Sequence, residues 1–205
     1  ALITGGLQKT AKELGGQVWH NADLLEEINY LVEYPTPLYG RIDEEFLDLP
    51  VPAVVTPMRD HQRYYPVRKE DGSLMPYFLT VRNGGDRAIR NVQIGNERVL
   101  RARLDDAKFF FDGDRRKSLE GHREALSRIN YQEGMGTMLD KSDRLVKLVE
   151  EIGEDWNFTD TEKSDVRRAA YLSKSDLATG MVTEFTELQG EMGKEYAPVS
   201  YTHLR

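Results

Sequence analysis

The sequence contains no cysteine, which excludes a disulfide framework and any metal site built on thiolates. It also lacks an apolar run near the roughly 20 residues that a membrane-spanning helix requires. The chain does not open with the charged and apolar segments of a secretory signal. Together these absences predict a soluble, cytoplasmic protein that makes no contact with a membrane.

Histidine is also scarce, with four residues in the chain at positions 20, 61, 122 and 203. No two of them have the i, i+4 spacing of a helical metal site, so we expect no metal to be bound. Gly84-Gly85 beside Arg82 could cradle a phosphate through backbone amides. The Lys-Ser/Thr of a phosphate-binding loop is missing, however, so a plain turn is favoured and no ATP site is expected.

Charge is unevenly distributed along the 205 residues, although the net charge is only −7. Residues 59–128 hold 16 Lys/Arg against 11 Asp/Glu, whereas the rest of the chain holds 12 against 24. A basic middle between acidic flanks indicates either an anionic partner or docking of the middle on the flanks. The length allows one large or two small domains, with enough apolar residues (39%) for a core.

The stretch 94–111 has the clearest helical pattern in the chain. Apolar residues recur with the spacing of a buried helical face at Leu100, Leu104, Ala107 and Phe111. Cationic residues lie on other sides of the same helix at Arg98, Arg101, Arg103 and Lys108. Asn96 is the expected N-cap and Gly113 the expected end. The cationic side is either a solvated face or a surface that presents arginines to an anionic partner.

The first 50 residues predict a helical lead-in that begins in mid-pattern. One helix is expected to close at Gly15-Gly16, and a second spans residues 23–33 with Asn21 as its cap. Pro35 and Pro37 stop the second helix because proline cannot continue the hydrogen-bond ladder. A short acidic helix or turn follows at residues 43–49.

Residues 51–129 predict a small basic domain of mixed α and β structure. The β-branched run at residues 53–56 favours a buried strand, and residues 64–68 and 74–81 favour a hairpin around Asp71-Gly72. Aromatic and cationic residues alternate here, which indicates either a core or a surface that stacks bases and pairs phosphates. The candidates for contact with RNA or a partner are Arg59, His61, Arg63, Tyr64 and Arg82, followed by Arg98, Arg101 and Arg103 on the helix.

The Asp60-His61 pair could polarise an imidazole for acid–base chemistry. No nucleophile motif lies nearby, so a structural or RNA-contacting histidine is the favoured interpretation. We therefore expect no catalytic residue within these 205 residues.

Residues 130–197 predict an acidic, all-helical domain. One helix should bury Leu145, Leu148, Val149 and Ile152, and Thr159 with Glu162 has the spacing of a capping box. Further apolar residues continue the helical spacing at Leu177, Met181, Phe185, Leu188 and Met192. Residues 198–205 have neither helical spacing nor continuity with the preceding pattern, and they resemble translated sequencing adapter. We expect them to be a non-native tail.

Several motifs in order resemble the beta subunit of bacterial glycyl-tRNA synthetase. They are TPMRDHQRYYP at residues 56–66, FLTVRN at 78–83, the helix at 95–111, GTMLDK at 136–141, KSDLAT at 174–179 and EFTELQGEMG at 184–193. The resemblance is colinear from about Leu24 to Ala197, and several motifs in order are more specific than any one alone.

The resemblance implies an internal fragment of a larger polypeptide and an α2β2 assembly. The alpha subunit of that assembly would hold ATP, magnesium and glycine, while the beta subunit would bind tRNA(Gly) and support the ligase reaction. On this view the fragment binds no cofactor and is not catalytic alone. A purely structural or subunit-interface module, with its arginines paired internally, is the alternative.

The helical part resembles the HD-superfamily-like domain of that subunit. Working HD phosphohydrolases hold a metal with a histidine and an adjacent His-Asp pair. Here the position expected for the pair reads Ser173-Lys174-Ser175-Asp176, and no histidine lies between His122 and His203. The resemblance therefore implies a degenerate HD-like domain that serves as a scaffold or docks tRNA.

Overall fold

The computed structural model describes the backbone of residues 2–202 and the side chains of residues 2–198. The chain forms two compact units, of which unit 1 ends at Phe109 and unit 2 begins at Phe110. The mixed α and β class expected from the sequence is confirmed. None of the described helices is both long and apolar enough to cross a membrane. The domain boundaries proposed at residues 50, 129 and 197 remain predictions.

Unit 1 combines four strands with four α-helices, the last of which runs on into unit 2. The helices are α1 (Leu2–Glu13), α2 (Ala22–Leu31), α3 (Val51–Thr56) and α4 (Ile89–Asp114). The strands are β1 (Gln17–Val18), β2 (Pro35–Arg41), β3 (Tyr65–Arg68) and β4 (Leu74–Asn83). A 3₁₀ turn covers Glu44–Asp48, and a π-helical turn covers Pro57–His61.

The four strands form one antiparallel sheet in the order β1-β3-β4-β2, with Leu38 of β2 opposite Thr80 of β4. Two of the strands therefore come from the first 50 residues, and the prediction of an entirely helical lead-in is wrong. Strand β2 contains Pro35 and Pro37, which lie at the edge of the sheet, where a missing N–H is tolerated. Gly40 of β2 is required by packing, because a Cβ there would stand 2.2 Å from the Phe78 ring.

The predicted hairpin is confirmed in β3 and β4. Gly72 in its turn has φ 86°, and the Asp71 carboxylate accepts hydrogen bonds from both the backbone and the hydroxyl of Ser73. The cap of α2 is also confirmed, since Asn21 Oδ1 accepts from the backbone of Leu24 at 2.8 Å. Helix α1 packs on this sheet, and its Leu7 and Ala11 join a core with Tyr65, Val67 and Leu79.

The predicted strand at residues 53–56 is wrong, because these residues form helix α3. All four are buried, and a short apolar run has the same appearance in a buried helix and in a buried strand. Pro50 at the N-cap and Pro52 in the first turn favour the helix, since proline fits those positions and lacks an N–H that the helix would leave unpaired.

Helix α4 confirms the central helical prediction and extends it toward the N-terminus. Leu100, Leu104 and Ala107 are fully buried and Phe111 is 9% exposed, as the spacing predicts. The helix begins at Ile89, so Asn96 lies in its interior and the predicted cap is wrong. It ends at Asp114, next to the expected stop at Gly113.

Unit 2 is largely helical but contains one small hairpin. Its helices are α5 (Leu119–Arg123), α6 (Met138–Asp155), α7 (Asp160–Leu172), α8 (Gly180–Glu184) and α9 (Glu191–Thr202). Strands β5 (Asn130–Gln132) and β6 (Gly136–Thr137) pair antiparallel, so the all-helical prediction for this region is corrected. The HD-like classification remains a prediction. Helix α9 includes residues 198–202 of the stretch expected to be irregular, and residues 203–205 lie outside the described part.

Helices α6 and α7 pack against each other, and the predicted capping box of α7 is present between Thr159 and Glu162. The predicted buried stripe of α6 is partly wrong, because Leu148 and Ile152 are 49% and 37% exposed. The buried side of α6 instead carries the small residues Ser142 and Gly153. Small residues allow close approach, and the Ser142 hydroxyl donates to the carbonyl oxygen of Tyr171 at 3.2 Å.

Four of the apolar residues predicted after α7 are buried: Met181, Phe185, Leu188 and Met192. Their backbone is nevertheless divided among α8, a 3₁₀ turn at Thr186–Leu188 and α9. Thr179 caps α8, and Gly190 with φ 85° separates the turn from α9. The apolar spacing therefore predicted burial correctly and helix continuity incorrectly.

Candidate functional site

Two of the predicted cations, Arg59 and Arg63, already have carboxylate partners. Arg59 donates two hydrogen bonds to Asp60, at 2.7 and 3.0 Å, and these bonds raise the pKa of the guanidinium. Arg63 lies 2.6 Å from Glu27 of α2. Both pairs are partly exposed, so each remains reachable, but neither arginine is a free positive charge. His61 ends the same turn and is half-buried.

The structure corrects the expectation that Tyr64 offers its ring to a partner. Tyr64 is 6% exposed and stacks on Phe78 with ring centroids 4.5 Å apart. Burial also raises the pKa of its hydroxyl to about 12. The ring therefore belongs to the core that positions the strands, as aromatic residues in hairpins commonly do.

One backbone amide of the Gly84-Gly85 turn makes a hydrogen bond within the fold. The N–H of Gly84 donates to the carbonyl oxygen of Tyr34 at 2.8 Å, so it does not point to a ligand. Arg82 donates to the carbonyl oxygen of Arg87 at 2.8 Å and thereby closes the loop that leads into α4. These contacts match the turn that the sequence favours over a phosphate cradle.

Helix α4 brings two of the predicted arginines together with two that the sequence did not single out. Arg98 and Arg101 line a cavity of about 420 Å³ in unit 1, and Arg41 from β2 and Arg90 from the start of α4 line it as well. We call this cavity the arginine groove; the other four of its eight lining residues are Ile42, Asp43, Phe46 and Glu97. Arg103 is not among the lining residues, and it is half-buried.

Local hydrogen bonds fix the walls of the arginine groove. Glu97 of α4 accepts from the backbone N–H of Arg41 at 3.0 Å, and Arg101 is ion-paired with Asp43. The Arg41 guanidinium lies over the ring of Tyr77, 5.5 Å from its centroid. These contacts join α4 to the segment that follows β2 and hold the cavity between them.

The charges around the arginine groove do not balance. Four guanidinium groups face two carboxylates, those of Asp43 and Glu97, which leaves an excess of two positive charges. Arg98 is exposed, and its guanidinium makes no hydrogen bond or ion pair with any group of residues 2–198. Guanidinium groups in this arrangement can bind an oxyanion through paired N–H donors.

The helical pattern at residues 94–111 could not identify Arg41 or Arg90 as groove residues, because both lie outside it. Arg90 precedes Arg98 by eight residues, which is about two helical turns, so an earlier helix start would have placed both on one side. Arg41 lies at the end of a strand that the sequence did not predict, and no spacing rule relates it to α4. Only the fold brings it to the groove.

A larger cavity of about 600 Å³ lies between α1 and strands β1 and β3. Its charged lining is mixed, with Lys12, Arg68 and Glu70, and His20 is the remaining titratable residue there. The Arg68 guanidinium is held over the Trp19 ring at 5.3 Å. The excess of positive charge is smaller than in the arginine groove, so the latter is the stronger candidate for binding an anion.

In unit 2, Ser175 and Asp176 lie in the packed interior, whereas Ser173 is exposed and Lys174 is half-buried. Asp176 is 1% exposed and its carboxylate accepts from the backbone of Gly190 at 2.6 Å. The Nε2 atom of His122 lies 3.0 Å from the carbonyl oxygen of Asp114. Among residues 2–198, no three His, Asp or Glu side chains are grouped so that they could hold a metal ion.

Comparison with known proteins shows which family the sequence matches. The model of the family described as "Glycyl-tRNA synthetase beta subunit" matches residues 1–203. A curated relative from Clostridioides difficile, called "Glycine--tRNA ligase beta subunit", is 53% identical over 191 residues, which are 93% of this chain and 28% of the relative.

Two more relatives carry the same description. The protein from Halothermothrix orenii is 49% identical over 199 residues, covering 97% of this chain and 29% of the relative. The protein from Bacillus subtilis is 44% identical over 196 residues, covering 96% and 29%. The chain thus spans less than a third of the length of the curated relatives that it matches.

Proposed function

The chain belongs to the glycyl-tRNA synthetase beta subunit family, and from this premise we propose that its arginine groove binds the phosphate backbone of tRNA(Gly). In this role the chain supports the ATP-dependent attachment of glycine to tRNA without performing the chemistry. ATP, magnesium and glycine are assigned to a partner alpha subunit in an α2β2 assembly in the cytoplasm. The HD-like part of unit 2 acts as a scaffold rather than as a metal-dependent hydrolase.

The single observation that carries the proposal is the state of Arg98. It is exposed, it has no acidic partner among residues 2–198, and it lies in a groove with an excess of two positive charges. Keeping like charges together without partners has a cost unless an anion neutralises them. Arginine also matches a phosphate better than lysine does, since its planar group donates two parallel hydrogen bonds.

Salt-dependent tRNA binding tests the proposal. We expect Arg98→Gln to weaken the affinity for tRNA(Gly) about tenfold at low salt, because one charge-assisted contact is lost. The slope of log affinity against log salt should fall by about 0.7 to 0.9, which corresponds to one phosphate. Filter binding or fluorescence anisotropy across a salt series, with and without the alpha subunit, measures both quantities.

Two further variants sharpen the test. Arg167→Gln in unit 2 removes the same charge from an exposed arginine that is already paired with Glu150, so tRNA affinity should stay within twofold. Asp43→Asn releases Arg101 from its ion pair and should tighten tRNA binding, because the freed guanidinium can then pair with a phosphate. Equal weakening by Arg98→Gln and Arg167→Gln would refute a localised site.

A structural or subunit-interface module is the second candidate. It is supported by the internal pairs of Arg59, Arg63 and Arg101, and by Lys108, which lies 3.7 Å from Glu45. The Asp43 and Glu97 carboxylates in the groove are also better matched to a protein surface of mixed charge than to a polyanion. If Arg98→Gln leaves tRNA affinity unchanged but prevents association with the alpha subunit, the interface function is the correct one.

A further inference from the structure

The solvent side of helix α6 carries an unexpected apolar ridge in unit 2. Leu148, Ile152 and Trp156 are 49%, 37% and 74% exposed and follow one another at intervals of four residues. Residues at this spacing lie above one another on one side of a helix and form a ridge of the kind that packs into a groove of another helix. Trp156 caps the helix, so the ridge reaches its end.

Acidic residues of α6 divide into two sets on its two sides. Glu150 and Glu154 face α7, where they pair with Arg167 and Lys163, both at 2.7 Å. Glu151 and Asp155 lie on the side of the ridge, and neither makes an ion pair or a side-chain hydrogen bond within residues 2–198. One set therefore serves the fold, while the other borders the exposed ridge.

The segment that carries the ridge is acidic. Residues 144–165 hold seven Asp/Glu and three Lys/Arg. A polyanion is a poor occupant because its phosphates would meet these carboxylates. A second copy of the same face is also disfavoured, since a two-fold pairing would bring the Glu151 and Asp155 carboxylates of both copies into one interface.

We propose that this face of α6 binds a basic amphipathic helix of a partner protein. The apolar side of that helix covers Leu148, Ile152 and Trp156, and its Lys or Arg residues pair with Glu151 and Asp155. This is the helix-to-helix mode in which an apolar ridge provides affinity and the flanking charges fix the orientation. The inference rests on unit 2 alone and is independent of the tRNA contact proposed for unit 1.

The experiment uses the 205-residue chain with Trp19→Phe, which leaves Trp156 as the only tryptophan. The probe is a synthetic 18-residue helical peptide with leucines along one side and lysines along its flanks. Binding should be saturable and should shift the Trp156 emission to the blue as the ring is covered. Leu148→Ser with Ile152→Ser should weaken binding at least tenfold, and far-UV circular dichroism checks that these surface changes leave the fold intact.

A matched pair of double variants separates a specific site from general attraction. Glu151→Gln with Asp155→Asn should weaken peptide binding about fivefold or more and reduce its salt dependence. Glu150→Gln with Glu154→Gln removes the same charge from the other side of α6 and should leave the affinity within twofold. A peptide of identical composition with scrambled leucines should not shift the Trp156 emission.

Three outcomes would overturn the inference. Equal weakening by the two charge pairs would mean that the peptide recognises only bulk negative charge. Unchanged binding after Leu148→Ser with Ile152→Ser would mean that the ridge is not the contact. A dimer of the chain in sedimentation velocity that disappears in the same variant would make a second copy the occupant. None of these results depends on tRNA binding by unit 1, so failure here leaves the proposed function standing.

Discussion

Three arginines of unit 2 and Arg98 of unit 1 differ in what they contact. In unit 2, Arg123 pairs with Asp143, Arg167 with Glu150, and Arg168 with Glu120 through two hydrogen bonds. The last pair lowers the pKa of Glu120. In unit 1, Arg98 has no such partner among residues 2–198 and lies in a groove with surplus positive charge. Positive charge in a sequence therefore indicates a binding surface only where the fold leaves it uncompensated.

The buried carboxylates show a related difference between the units. Asp114 is 7% exposed and accepts from the backbones of Gly180 and Met181 at 2.7 and 2.9 Å, and from the Tyr196 hydroxyl at 3.0 Å. Burial, followed by the negative charge of Asp114, raises the pKa of Tyr196 far above its ordinary value. Asp114 thus uses its charge to hold the interior of unit 2 together, whereas the arginine groove of unit 1 presents charge at the surface.

The largest expected effect comes from removing the internal acceptor of unit 2. Asp114→Ala leaves two backbone N–H groups and one phenol without a partner in a buried place, and should lower the free energy of unfolding by about 4 kcal/mol. Urea unfolding followed by circular dichroism measures the loss. Asp112→Ala, an exposed neighbour two residues earlier, should change stability by less than about 0.5 kcal/mol. Similar effects of both variants would contradict a structural role for Asp114.

A matched pair of arginine variants tests the comparison directly. Arg123 is 9% exposed, pairs with Asp143, and donates through Nε to the carbonyl oxygen of Tyr171 at 3.0 Å. We expect Arg123→Gln to destabilise unit 2 by about 2 kcal/mol, since Asp143 is itself half-exposed and water replaces part of the contact. Arg98→Gln should change stability by less than about 0.5 kcal/mol. A loss of stability with Arg98→Gln would show that this arginine serves the fold.

Two buried tyrosines give the smallest expected difference. Tyr196→Phe removes a hydrogen bond to the buried Asp114 and should destabilise unit 2 by about 1.5 kcal/mol. The hydroxyl of Tyr65 in unit 1 is buried and has no hydrogen-bond partner within residues 2–198. Tyr65→Phe should therefore be neutral or stabilising by about 0.5 kcal/mol. Thermal unfolding of the two variants distinguishes these signs, and a clear loss with Tyr65→Phe would contradict the unpaired hydroxyl.

Alkaline titration provides a second measurement on the same tyrosine. Burial raises the pKa of Tyr65 to about 12 from an ordinary value of 10. The unfolded chain loses this proton first, so ionisation of Tyr65 leaves the free energy of unfolding unchanged below pH 10 and lowers it as the pH rises from 10 toward 12. Tyr65→Phe should reduce that decline, because phenylalanine has no proton to release.

Much of the fold could be predicted from local patterns, since these depend on neighbouring residues alone. The Asn21 cap, the Asp71-Gly72 turn, the capping box at Thr159 and the buried stripe of α4 are all determined by residues within a few positions of one another. Strand β2 and helix α3 were not predictable in this way. An edge strand with two prolines and a short buried helix have patterns that also fit other structures.

The candidate site was only partly predictable. Spacing placed Arg98 and Arg101 on one helix, but the partner that holds Arg101 lies 58 residues earlier in the chain, at Asp43. The burial of Tyr64 against Phe78 and the approach of Arg41 to α4 likewise depend on pairing of distant strands. A sequence lists the charges, but only contacts between distant segments decide which of them are neutralised.

The sequence by itself determined the family, through colinear motifs, and the amphipathic character of the long helix, because its buried face repeats with the period of the backbone. The tertiary structure alone decided which cations are left to bind a partner. An ion pair forms between side chains that lie close in space, and closeness across 50 residues is a property of the folded chain. The same reason left Glu151 and Asp155 open on α6 while their neighbours on the other side were paired to α7.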